Sequence, residues 1–295
     1  MRYAAIDIGS NAVRLLIADI IENNGSVSFK KNTLIRVPLR LGDDAFLDHK
    51  LSDKKIADLV KTMQAFGKLM EVYKVADYMA FATSAMREAK NGEEIVKQIK
   101  TESGVDLEIV HGQKEAGIIY ASHADQTIDK GKNYLYIDVG GGSTELSFFS
   151  AGEVWASKSF NIGTIRMLDN QDTEESWNEM KDFIRENTKQ FKIISGIGTG
   201  GNINKLYKLS EEKEKAPLTF GKLKSLYSYL TSFSLKDRIN VLGLNQDRAD
   251  VIIPACEIYM TVMKWANIKN IYVPTVGLVD GIIQTLIEKN FPKAG

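Results

Sequence analysis

The sequence predicts an α/β protein of two similar lobes with a central cleft. Three observations predict it. A strand, an aspartate, a glycine turn and a second strand occur twice, over 5–15 and 136–146, at a constant offset of 131 residues. After each copy a third strand is followed by alternating helical and strand patterns, the order of a mixed sheet flanked by helices. Between the copies lies a polar stretch, 126–133 (QTIDKGKN), that reads as a linker. The expected division is therefore 1–125 and 126–295. A helix at about 278–290 closes the chain, and packing of that helix back on the first lobe is left open.

The elements follow in order. Tyr3–Ile8 is an apolar run that reads as a buried strand, Gly9-Ser10-Asn11 as a turn, and Val13–Ile20 as the second strand. Asn23-Asn24-Gly25 is a hairpin signal, so 27–37 is a third strand. Ser52 stands before a helix whose apolar residues Ile56, Leu59, Val60, Met63, Phe66, Met70 and Tyr73 keep helical spacing. Strand 78–82 leads to Thr83-Ser84-Ala85-Met86-Arg87. A helix over 92–102 stops at Gly104, strand 106–110 follows, and 113–123 reads as a helix. In the second half, strands are expected at 153–160, 192–197 and 270–274, with helices at about 174–190, from 201 to about 267, and at 278–289.

Composition narrows the function. The 295 residues are 44% hydrophobic and 26% charged, with 38 Lys and Arg against 38 Asp and Glu. A balanced charge argues against whole-molecule attraction to nucleic acid or anionic membrane. No apolar run approaches the roughly 18 residues of a span, and an acid at Asp7 comes too early for a signal peptide. The single Cys256 cannot form an internal disulfide, which suits a reducing compartment. A cytoplasmic protein is expected, without membrane or nucleic-acid partners. His49, His111 and His123 lack zinc-ligand spacing, and Cys256 reads as a packed side chain.

The duplicated Asp-x-Gly turn carries the chemistry. Turn geometry alone accounts for glycines but not for an aspartate that ends an apolar strand, where a charge needs a partner. Small residues let backbone N–H groups approach a phosphate, and a carboxylate can hold a cation. The stretch 196–201 (GIGTGG) also satisfies a dinucleotide pattern. The acid that pattern needs about 20 residues on is replaced by the charge run 210–217, so this loop is expected to line the phosphate site instead. No Walker-type loop is present. Arg87 opens a helical stretch after a strand, where a forked donor suits an anion.

Together the segments 7–11, 82–87, 112–116, 138–145, 198–201 and 248–255 resemble, in order over most of the chain, the exopolyphosphatase / guanosine pentaphosphate phosphatase family. That family belongs to the actin superfamily of two-lobed, ribonuclease H-like folds. The resemblance implies hydrolysis of the terminal phosphate of polyphosphate or a nucleotide polyphosphate, with Mg²⁺ or another divalent cation. By position it implies Glu115 as the water-activating carboxylate, Asp138 and Glu145 as metal-associated acids, and Arg87 as a phosphate contact. Ser10, Asn11, Gly140, Gly141, Gly142 and Ser143 correspond to the phosphate cradle. Two departures stand out: Lys114 where the family often has an acid, and Val279 where it usually has an arginine. Lacking the extra helical domains of longer members, the chain is expected to favour short polyphosphates or nucleotides, and a homodimer is left open. An ATP-dependent phosphotransferase and a weakly catalytic polyphosphate or alarmone binder are the competing readings.

Overall fold

A computed structural model of the chain describes residues 1–23, 25–111, 114–115, 117–118, 129, 131–213, 215–274 and 276–292. The chain divides into two compact units, Met1–Asp125 with Val276–Gly295, and Gln126–Thr275. Residues 276–295, assigned with the second lobe in the sequence division, thus group with the first.

Unit 1 holds a five-stranded sheet in the order β3-β2-β1-β4-β5, built from β1 (Arg2–Ile8), β2 (Val13–Asn23), β3 (Ser26–Val37), β4 (Asp77–Ala82) and β5 (Glu108–Ile109). The first three strands form an antiparallel meander, and β4 and β5 continue from β1 in parallel. β1 is central because almost every residue in it is apolar and buried, whereas the edge strand β3 alternates and carries Lys30 and Lys31. Helices α1 (Leu41–Leu47), α2 (Asp53–Val72), α3 (Ser84–Glu88) and α4 (Gly92–Ser103) complete the first stretch. The Ser52 side chain caps α2, which buries Leu59, Val60, Met63, Phe66 and Met70. Gly104 ends α4 at φ 72°, a left-handed conformation that glycine adopts without cost.

Unit 2 repeats the scheme. β6 (Tyr134–Val139), β7 (Thr144–Ser150) and β8 (Glu153–Phe160) form the meander. β9 (Ser195–Thr199) and β11 (Asn270–Tyr272) extend it in parallel, and β10 (Leu218–Thr219) closes the edge antiparallel, giving the order β10-β11-β9-β6-β7-β8. Among the described residues, seven helices join these strands: α5 (Thr164–Leu168), α6 (Glu174–Thr188), α7 (Gly201–Ser210), α8 (Phe220–Thr231), α9 (Leu235–Asn240), α10 (Gln246–Ala249) and α11 (Ile252–Trp265). Their apolar faces surround Tyr259, whose hydroxyl donates to the Thr199 carbonyl at 2.9 Å. Cys256 is buried in the same core, and burial together with Glu257 pushes its thiol up to about 12.

The last helix, α12 (Leu278–Asn290), lies on the unit 1 sheet. Leu278, Val279, Ile282, Ile283, Leu286 and Ile287 pack with Tyr3, Ala5, Leu16, Ala18 and Phe81. Its start is fixed by Asp280, which accepts from Gly277 N at 2.9 Å and pairs with Lys31 at 2.6 Å.

Several boundaries differ from the sequence expectation. Strand 106–110 shrinks to two residues, because β5 is an edge strand with β4 as its single neighbour. Strand 192–197 shifts to 195–199, since pairing with β6 sets Ser195 beside Tyr134 and Thr199 beside Asp138. The turn therefore falls at Gly200. Strand 270–274 ends at Tyr272. Half of the linker 126–133 and most of the helix expected at 113–123 lie outside the described residues, although Lys114, Glu115, Gly117 and Ile118 are helical. Among the described residues, no helix is long and apolar enough to cross a membrane.

Candidate functional site

In unit 2, β6 and β7 are joined by the turn Gly140-Gly141-Gly142-Ser143, closed by Gly140 N donating to Ser143 O at 2.9 Å. The start of α5 holds the back of this turn. Thr164 N donates to Gly140 O at 3.0 Å, Ile165 N to Gly141 O at 2.8 Å, and Arg166 Nε to Gly142 O at 2.6 Å. In a trans peptide the carbonyl and the following N–H point in opposite directions. Drawing these carbonyls towards α5 therefore turns the N–H groups of Gly141, Gly142 and Ser143 the other way, the arrangement of an anion nest. Gly163 is needed at the contact, since a Cβ there would run into the backbone of Gly141 and Gly142.

Asp138 and Glu145 stand directly opposite each other on β6 and β7, so their side chains share one face of the sheet. Asp138 Oδ2 accepts from Thr199 Oγ1 at 2.7 Å. Glu145, only 4% exposed, accepts through Oε1 from Ser143 Oγ at 2.6 Å and Ser159 Oγ at 2.9 Å. Two facing carboxylates repel unless a cation or proton lies with them. An all-oxygen donor set beside an anion nest fits a hard divalent ion. Burial, then the Asp138 charge, push the Tyr259 phenol well above its ordinary range, so it stays a neutral donor beneath the pair.

Unit 1 carries the same turn with different side chains. Gly9 N donates to Ala12 O at 3.2 Å, while Gly42 N and Arg40 N donate to Ser10 O and Asn11 O at 2.9 and 3.0 Å. Asp7 again faces the next strand, but its opposite number is Arg14, which donates to its carboxylate. Burial pushes the Asp7 carboxyl up, and Arg14 opposes that shift without cancelling it.

The other unit 1 candidates gather at the carboxyl ends of β1, β4 and β5, where open α/β sheets present ligand sites. Ser10 Oγ and Ser84 Oγ are 2.8 Å apart, and Thr83 N donates to Ile8 O. Arg87 Nη1 donates to Val110 O at 2.9 Å, which anchors the side chain just before the Glu115 segment. Glu115 is 8% exposed, and its N–H donates to His111 O at 3.0 Å. Of the two departures, Lys114 pairs with Glu108 at 2.6 Å and lies over the Phe81 ring, and Val279 is buried in the α12 core.

The Ppx/GppA phosphatase family matches residues 20–290, nearly the whole chain. This chain belongs to the Ppx/GppA phosphatase family. It is 30% identical over 279 residues to the bifunctional 3-dehydroquinate synthase/phosphatase of Fusobacterium nucleatum, a match of 85% of this chain to 41% of that protein. Exopolyphosphatase 1 of Mycobacterium tuberculosis is 25% identical, with 96% of this chain and 87% of that protein covered. A solved exopolyphosphatase from Cytophaga hutchinsonii superposes with a TM-score of 0.84 at 22% identity, covering 98% of both chains. That match bears out the expected α/β fold class. Family membership likewise bears out the expected class of enzyme, a hydrolase of phosphoanhydride bonds.

Within this Ppx/GppA chain, four polar residues beside the candidate residues of one unit or the other escaped the sequence reading: Ser84 in unit 1, and Ser159, Thr199 and Arg166 in unit 2. Thr83-Ser84 and Thr199 did lie in quoted motifs, adjacent to the singled-out positions. Ser159 and Arg166 depend on strand register and on a five-residue helix, and no local pattern marks either.

Proposed function

We propose that the chain removes the terminal phosphate of inorganic polyphosphate, including short chains, with Mg²⁺ and a water activated by Glu115. The observation that carries this reading is the facing pair Asp138 and Glu145 beside the Gly140–Ser143 turn. A bound Mg²⁺, held by those two carboxylates directly or through water, would neutralise charge on phosphate oxygens. The N–H groups of Gly141, Gly142 and Ser143 donate to the same class of oxygens. Ser10 and Asn11 offer side-chain polar groups at the equivalent turn, and Arg87 offers a forked cationic donor. Glu115 takes a proton from the attacking water, a role that suits a carboxylate shielded from bulk solvent. Phosphoryl transfer asks mainly for positioning and charge compensation, which is what these groups supply. The departures do not weaken the reading, since Lys114 is engaged by Glu108 and Val279 serves packing.

The test is phosphate release from a panel of tripolyphosphate, short and long polyphosphate, guanosine pentaphosphate and ATP, with Mg²⁺ and with chelator. Release from the inorganic chains that chelator abolishes is expected. Glu115→Gln should lower kcat about 10²-fold while substrate still binds. Near-normal kcat in that variant would remove Glu115 from the chemistry. Cleavage of guanosine pentaphosphate alone would replace the polyphosphate reading, and ADP release that requires an acceptor would mark a phosphotransferase.

A further inference from the structure

We propose that Arg166 is a positioning residue that presets the Gly140–Ser143 turn for phosphate, an inference that rests on the function proposed above. Arginine is almost never buried without a partner, and Arg166 is 6% exposed. Its Nε donates to Gly142 O at 2.6 Å, and its backbone N–H donates to Gly141 O at 3.3 Å. One residue thus holds two successive carbonyls of the turn on the α5 side. By trans-peptide geometry that fixes the N–H groups of Gly142 and Ser143 facing outward.

The unit 1 turn shows why this turn needs the extra hold. There, Ser10 and Asn11 carry side chains that restrict the backbone, and two main-chain donors, Gly42 N and Arg40 N, take their carbonyls. Three successive glycines lose far more conformational freedom on ordering. A side-chain clamp orders them before the ligand arrives, so binding is not weakened by that ordering. The guanidinium also fixes a positive charge behind donors that would face phosphate oxygens, which strengthens an anion site.

An arginine can also serve stability alone. Arg238, partly buried, is the internal example, since it ties Leu230 O at 2.9 Å and Ala249 O at 3.0 Å and so joins two helices. The two arginines therefore separate by measurement. Tripolyphosphate affinity with Mg²⁺ is read by calorimetry, beside KM, kcat and Tm, for wild type, Arg166→Gln, Arg166→Lys and Arg238→Gln. Arg166→Gln should raise Kd and KM about tenfold or more, the scale of a lost hydrogen bond to a charged group, with a smaller change in kcat. Arg166→Lys should lie between it and wild type, because an ammonium keeps the charge but not the planar fork. Arg238→Gln should lower Tm and leave Kd and KM unchanged. Wild-type Kd and KM in Arg166→Gln would overturn the inference, whatever its Tm. If that variant does not fold, Arg166→Lys is read in its place, and wild-type affinity there overturns it equally. Wild-type protein that neither binds nor cleaves tripolyphosphate would overturn the proposed function and this inference with it. Binding by wild type that Arg166→Gln matches would overturn this inference alone.

Discussion

The two Asp-glycine turns share a backbone and differ in how their charge is completed. Asp7 and Asp138 occupy the same position in the repeat, and each faces the residue seven further on across a hairpin. In unit 1 that residue is Arg14, and in unit 2 it is Glu145. The first turn supplies its own counter-charge. The second sets two acids face to face. Even the irregularities are duplicated: the β2–β3 register slips by one residue between Ile17 and Ala18, and the β7–β8 register between Phe148 and Phe149, positions again 131 apart. In unit 2 the slip has a consequence. Counting back from the Ser150–Glu153 hairpin end without it would set Lys158 opposite Glu145. The extra residue, Trp155, moves Ser159 there, and Lys158 turns to the other face and pairs with Glu179 at 2.8 Å. The bulge thus keeps a lysine from filling the place where the proposed cation belongs.

The largest effect expected from this contrast is on activity. Asp138→Asn and Glu145→Gln should each lower turnover about 10²-fold or more, because each removes a charge proposed to hold the metal. A separate readout avoids dependence on turnover. Mg²⁺ at ten times its Kd should stabilise wild type by about 1.4 kcal/mol, and Glu145→Gln should lose that gain while folding at least as well without metal. An equal Mg²⁺ response in the two proteins would mean that the facing acids hold no cation.

A smaller effect, on stability, is expected in unit 1. Arg14→Gln strips the partner from the buried Asp7 carboxylate, and breaking a buried pair costs about 3 kcal/mol. Arg14 itself is partly exposed, so the loss should sit at the low end of that scale. The double variant Asp7→Asn/Arg14→Gln should recover much of it, because no unpaired charge is left. Additive losses in urea unfolding would show that the two side chains do not act as a pair.

Much of this contrast was legible in the sequence, and the illegible part has a common cause. The repeat exposed both turns, and helical spacing marked α2, because those signals are local and periodic. The short helices α1 and α5 were invisible, being seven and five residues long, too short for a periodic pattern to register. Yet they supply the donors that hold each turn. Their existence depends on carbonyls of a loop more than twenty residues earlier. Ser159 was hidden for a related reason, since a bulge moves register by one residue and no local pattern at Trp155 announces it. Residues that touch a site through their own motif were readable, and those that reach it through register or a tertiary hydrogen bond were not.

The smallest effect is a pH dependence, and it decides which force governs Asp7. Burial raises its carboxyl above the ordinary aspartate value, with Arg14 pulling the other way. A raised value in the folded state means that the folded protein holds this proton more tightly than the unfolded chain does. The stabilising contribution of Asp7 is then fully present below the ordinary aspartate value and is lost as pH rises through the folded value. Asp7→Asn removes the titration. The stability of wild type relative to Asp7→Asn should therefore fall between about pH 4 and neutrality, by no more than about 1.4 kcal/mol per pH unit, the limit for one proton. Urea unfolding of both proteins across that range reads the difference directly. A relative stability that grows with pH would mean that the Arg14 attraction outweighs burial.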